Sequence, residues 1–100
     1  MKAPKDCTSI DEIREAIDTI DYEIMQLFGK RFGYVKEVVK FKTDEESVIA
    51  APRRDSVLKQ RRVWAEENGL SPDIFEDIYR TLINHFISEE MDILKNKTNK

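Results

Sequence analysis

A chain of 100 residues, 40% hydrophobic and 37% charged, allows one domain with a modest core, 1–100, and three glycines and three prolines suit long helices rather than a sandwich or barrel. A formal net charge of −3 disfavours nucleic acid as the general partner, and a lone Cys7 excludes an intrachain disulfide. No apolar run reaches the length of a membrane span, which predicts a chain without a membrane partner.

The chain starts MKAPKDCTSI, without the apolar run of a secretory signal, and so predicts a cytoplasmic protein. Residues 1–8 read as a loose arm. Ser9 and Glu12 then form an S-x-x-E capping box, with Asp11 also in the first turn, where the helix dipole favours acid. From Ser9 to Lys42 a heptad spacing places Ile10, Ile13, Ile17, Ile20, Ile24, Leu27, Arg31, Tyr34, Val38 and Phe41 along one seam of a single long helix. Arg31 alone on that seam is charged. A guanidinium does not lose its proton, so it either snorkels to water or meets an anionic ligand. Gly29 and Gly33 lie one turn apart on either side of it and signal close helix packing or room for that ligand.

Thirty-four helical residues span about 50 Å, against a diameter of roughly 35 Å for a compact chain of this length. One chain cannot cover that seam. The pattern predicts a homodimer in which the partner covers the rest.

Residues 43–51, TDEESVIAA, keep no helical period and read as a mobile connection and the best lid candidate. Pro52 suits the first turn of a second helix through Val57, Leu58, Arg61, Trp64 and Ala65, which Asn68-Gly69 ends. Ser71-Pro72-Asp73 opens a third helix with an apolar face of Phe75, Ile78, Tyr79, Leu82, Phe86 and Ile93. The tail after Lys95 reads as polar and frayed. The fold class is all-α: three helices, the first the longest.

The inventory for chemistry is cationic. His85 is the single histidine, at the edge of the third helix's core face, and Cys7 has no second cysteine, so a metal cluster or a paired nucleophile is hard to build. From Lys30 to Arg62 there are ten basic and five acidic residues, against seven and fifteen elsewhere. The plain reading is a solvated helix face; the functional one is a pocket for a small, multiply charged anion. Arg14 and Lys42 flank the seam at its two ends, 28 residues or about 42 Å apart, so they can share a ligand only across an antiparallel pair of subunits. Arg53 opens the second helix just past the lid. Glu90, within a turn or two of Ile83, Phe86 and Leu94, reads as a partly buried acid with a raised pKa.

These features, with the segments DCT (6–8), IREAID (13–18), YVK (34–36), FK (41–42) and RVWAEENGL (62–70), resemble the all-helical chorismate mutases. They resemble more closely the bacterial isochorismate-pyruvate lyases of salicylate and siderophore biosynthesis, which share that fold. The resemblance covers nearly the whole chain. It implies an intertwined helical homodimer with two composite sites and no cofactor or metal. One subunit would supply Arg14, and the other Arg31, Lys42, Arg53 and Glu90. The arginines would bind the carboxylates of a dicarboxylate substrate, isochorismate or chorismate. Lys42 and position 90 would act at the ether oxygen.

Two departures from that pattern stand out. Ala50 and Arg54 occupy positions where many such mutases hold a ring hydroxyl with acids, which leans toward the lyase. Glu90 stands where the lyase and many mutases have Gln. The resemblance thus implies lyase activity with secondary mutase activity; the alternatives are a mutase proper or a non-catalytic helical dimerisation module.

Overall fold

The apolar periodicity of the chain resolves into helices throughout. A computed structural model describes residues 1–98, and among them there is no strand. Helix α1 (Ile10–Val38) continues as a 3₁₀ turn at Val39–Phe41, so the first helical run ends one residue before the expected Lys42. A short α2 (Glu45–Ile49), α3 (Ala51–Glu67) and α4 (Pro72–Thr98) follow. No helix among the described residues is long and apolar enough to cross a membrane. The contacts divide the chain into two units, Met1–Tyr34 and the residues from Val35 onward.

In the first unit the arm is folded rather than loose. Pro4–Asp6 form a 3₁₀ turn closed by Asp6 N–H donating to the Ala3 carbonyl at 2.9 Å. Ser9 Oγ accepts from Glu12 N–H at 3.2 Å, so half of the expected capping box is present. The other half is displaced by one residue. The Glu12 carboxylate accepts from Thr8 N–H at 3.0 Å and from Lys2 at 3.2 Å, tying the arm down. The Thr8 amide, then Lys2, holds Glu12 below the usual carboxylate range.

The apolar seam of this unit lies open in the single chain: Ile10, Ile13, Ile17, Ile20, Ile24 and Leu27 are all exposed, Ile17 by 50%. A Cβ built on Gly29 or Gly33 would meet nothing within 4 Å, so neither glycine serves close packing inside this chain.

The second unit holds the core. Val39 (1% exposed), Val48 and Leu94 form a buried cluster with Ile87, Met91 and Ile93 packed against it, while Val57, Leu58 and Ala65 are buried on α3. Helices α3 and α4 pack together through a tight connection. The expected Gly C-cap is present: Gly69 takes φ 73°, and Leu70 N–H donates to the Ala65 carbonyl while Gly69 N–H donates to that of Glu66, the two bonds of a Schellman end. Ser71 Oγ then caps α4 by accepting from Ile74 N–H at 3.3 Å. Arg62 pairs with Asp73 at 2.8 Å across the turn.

Further expectations need correction. Residues 43–51 are not an unstructured connection; α2 forms there, because Asp44 and Ser47 cap each other. Ile78, expected on the core face of α4, is exposed at its edge, and so is His85, which faces Glu89 at 3.7 Å instead of the core. Helix α4 also continues past Lys95, where Lys97 Nζ donates to the Lys40 carbonyl at 3.3 Å; residues 99 and 100 of the expected frayed tail lie outside the described residues.

Candidate active site

Lys42 follows the 3₁₀ turn in extended conformation, anchored by its own N–H donating to the Val39 carbonyl at 3.0 Å. That anchor aims the side chain at α2, where the ammonium donates to the Ser47 carbonyl. Glu90 lies on α4, three residues after Ile87 and four before Leu94, and so on the face that packs against Val39 and Val48. It is 8% exposed, the one charged residue in the buried set among the described residues.

Burial penalises the ionised carboxylate and raises the Glu90 pKa; the Lys42 charge pulls the other way and only partly offsets it. A fixed ammonium thus faces an acid biased toward its neutral, hydrogen-bond-donating form. The raised pKa expected at Glu90 is present, and its largest cause is burial.

The three arginines are placed differently. Arg14 is exposed in the second turn of α1, and Arg31 is half-buried on the same helix. Seventeen helical residues separate them, about 25 Å along the axis. A small anion cannot bridge that span from one helix. Arg53 is exposed in the first turn of α3, its carbonyl accepting from Ser56 Oγ at 3.0 Å. The structure therefore brings Lys42 and Glu90 together and holds Arg14 and Arg31 apart.

Reasoning from the sequence missed Ser47. Its carbonyl holds Lys42, and the signal was available as a D-x-x-S cap at 44–47, hidden because α2 is too short to show a period. It also missed the turn at Ala50, which ends α2 in the left-handed region at φ 44° and lets α3 start at the next residue.

The pattern of this chain from Ile13 to Met91 matches the family described as "Chorismate mutase type II". The chain belongs to the type II chorismate mutase family. Over 91 residues it is 43% identical to the isochorismate pyruvate lyase of Pseudomonas aeruginosa, covering 91% of this chain and 90% of that protein. It is also similar to the T-proteins of Haemophilus influenzae (36% identical over 83 residues) and Enterobacter agglomerans (35% over 81). Those matches cover 82% and 80% of this chain but only 22% of each T-protein, so this chain corresponds to one part of a larger polypeptide there. Family membership and the all-helical architecture agree with the resemblance read from the sequence.

Proposed function

We propose that the protein is an isochorismate-pyruvate lyase with secondary chorismate mutase activity, acting as a homodimer with two composite sites. The observation that carries this reading is the Lys42 ammonium set against the buried, proton-biased Glu90. The extent of similarity to the Pseudomonas lyase supports the lyase over other members of the family.

The chemistry asked of such a site is modest. The ether C–O bond of the substrate breaks as one ring hydrogen passes to the enolpyruvyl methylene, giving an aromatic product and pyruvate. Negative charge gathers on the ether oxygen as the bond stretches. A fixed ammonium stabilises that charge without reorganising, most effectively where water is excluded. Neutral Glu90 donates a hydrogen bond to the same oxygen; ionised, it could only accept one and would repel the dianion. Arg14 of one subunit and Arg31 of the other clamp the two carboxylates, with Arg53 assisting, and hold the flexible substrate in its reactive conformer. The open apolar seam of α1 and the 25 Å between Arg14 and Arg31 both favour a site completed by a second copy.

A chorismate mutase proper is the second reading, favoured by the description of the family itself. Incubating purified protein separately with isochorismate and chorismate distinguishes the two. Salicylate with pyruvate as the faster product supports the lyase, prephenate the mutase. No turnover of either leaves only a helical dimerisation module.

A further inference from the structure

A five-residue helix in water does not hold itself together, because nucleation costs more than one turn returns. Helix α2 nevertheless forms, and the reasons are specific. Asp44 Oδ1 accepts from Ser47 N–H at 2.8 Å; Ser47 Oγ accepts from Asp44 N–H at 3.3 Å and donates to the Asp44 carbonyl at 2.8 Å. Val48, between them and Ala50, is buried in the cluster with Val39 and Leu94. At the far end Ala50 N–H donates to the Glu46 carbonyl at 3.0 Å.

The carbonyls in the last turn of any helix lack intrahelical donors. Ser47 supplies one of these, and it is the carbonyl that the Lys42 ammonium meets. The cation also lies at the negative end of the turn's dipoles, where it is favoured. The relation is reciprocal: the turn fixes Lys42, and Lys42 satisfies the turn.

We propose that Asp44 and Ser47 are positioning residues for Lys42, folding the lid turn before any substrate arrives and setting the ammonium beside Glu90. The proposal rests on the reading of Lys42 as the residue that acts at the breaking C–O bond. It adds that the entropic cost of ordering a long, flexible lysine is met in the free protein rather than during catalysis.

The test compares Asp44→Ala, Ser47→Ala and Asp44→Asn with the wild type by three measurements. These are turnover of isochorismate and chorismate, amide hydrogen exchange at Ser47, Val48 and Ala50 without ligand, and the carboxyl titration of Glu90 by carbon NMR. In the wild type all three amides are expected to exchange slowly. Asp44→Ala and Ser47→Ala should lose that protection and lower kcat about 5-fold or more, as loss of a helix cap implies. Glu90 should then titrate at higher pH as the Lys42 charge withdraws. Asp44→Asn keeps a capping oxygen and should restore all three.

Fast exchange in the wild type would overturn the proposal. So would an Asp44→Ala variant that loses protection with kcat and the Glu90 titration unchanged, since the turn would then be structural only. A wild type that turns over neither substrate counts against the lyase and mutase readings alone; exchange and the Glu90 titration still decide whether the capped turn places Lys42.

Discussion

The two ends of α1 solve opposite problems. Towards the N-terminus a row of isoleucines stands exposed along the helix; after it, Val39 is buried to 1% and opens the segment that carries Lys42. The heptad seam itself stays open in both, since Val38 and Phe41 are exposed as well. In the second unit it is Val39, beside the seam, that packs with Val48 of α2 and Leu94 of α4, and Glu90 is buried on the same face of α4. In the first the isoleucines stay exposed, and the apolar area left open is of the kind that marks an interface. One stretch is finished by intramolecular packing, and the other is left open in the single chain.

The largest effect expected from breaking this contrast is on assembly. Sedimentation should give about twice the 11.8 kDa chain mass. Ile17→Asp, which places a charge in the middle of the seam, should abolish the folded dimer. A stable folded wild-type monomer at micromolar concentration would remove the composite site with it.

Lys42→Ala tests the finished end. Losing one such stabilising group costs about a hundred- to a thousand-fold in turnover, with binding less affected. Near-full turnover in this variant would end the assignment.

Arg14 and Arg31 join the two ideas. Arg14→Ala and Arg31→Ala chains should each be nearly inactive, with substrate binding weakened as well as turnover. Mixed and allowed to exchange subunits, they form heterodimers with one site holding both arginines and one holding neither, and activity partly returns. No recovery after verified exchange would show that the sites are not shared.

Glu90→Gln has a smaller effect with a defined sign. Burial raises the Glu90 pKa above its ordinary 4.5, so its protonated form is favoured in the fold. Its contribution to stability is whole below the ordinary value and is lost as pH rises through the raised one. Asp44 behaves oppositely. The Ser47 amide, then its hydroxyl, lowers the Asp44 pKa below 3.8, so the cap of α2 persists until the pH falls through that lowered value. Both favourable forms therefore coexist in a mildly acidic window, where activity should be highest, falling toward neutral and alkaline pH. Glu90→Gln provides a permanent donor and should flatten that profile and raise activity at pH 7–8. Parallel profiles would count against proton donation by Glu90.

The smallest effect expected is at Ala50. A left-handed φ of 44° costs a residue with a Cβ about 1–2 kcal/mol. Glycine removes that strain but has more unfolded freedom to lose. Ala50→Gly should gain at most about 1 kcal/mol, read as a small rise in Tm.

By itself the sequence determined the long helices and the turn that joins α3 to α4. Repeating apolar spacing, Gly69 after Asn68 and Ser71-Pro72-Asp73 act through a few neighbouring residues, so they can be read without a fold. It likewise carried the family, because IREAID and RVWAEENGL keep their register over most of the chain. What a short polar stretch does was decided only by tertiary structure. Helix α2 has no period to read, and its single buried anchor, Val48, counts as one only because Leu94 arrives from a distant part of the chain to close a cluster over it and Val39. The same holds for His85 and Ile78, whose exposure depends on how α4 is rotated against its neighbours rather than on their hydropathy. Glu90 stands between these cases. Its apolar neighbours at helical spacing were visible in the sequence, but the desolvation that raises its pKa and the lysine that opposes it come from segments about fifty residues away.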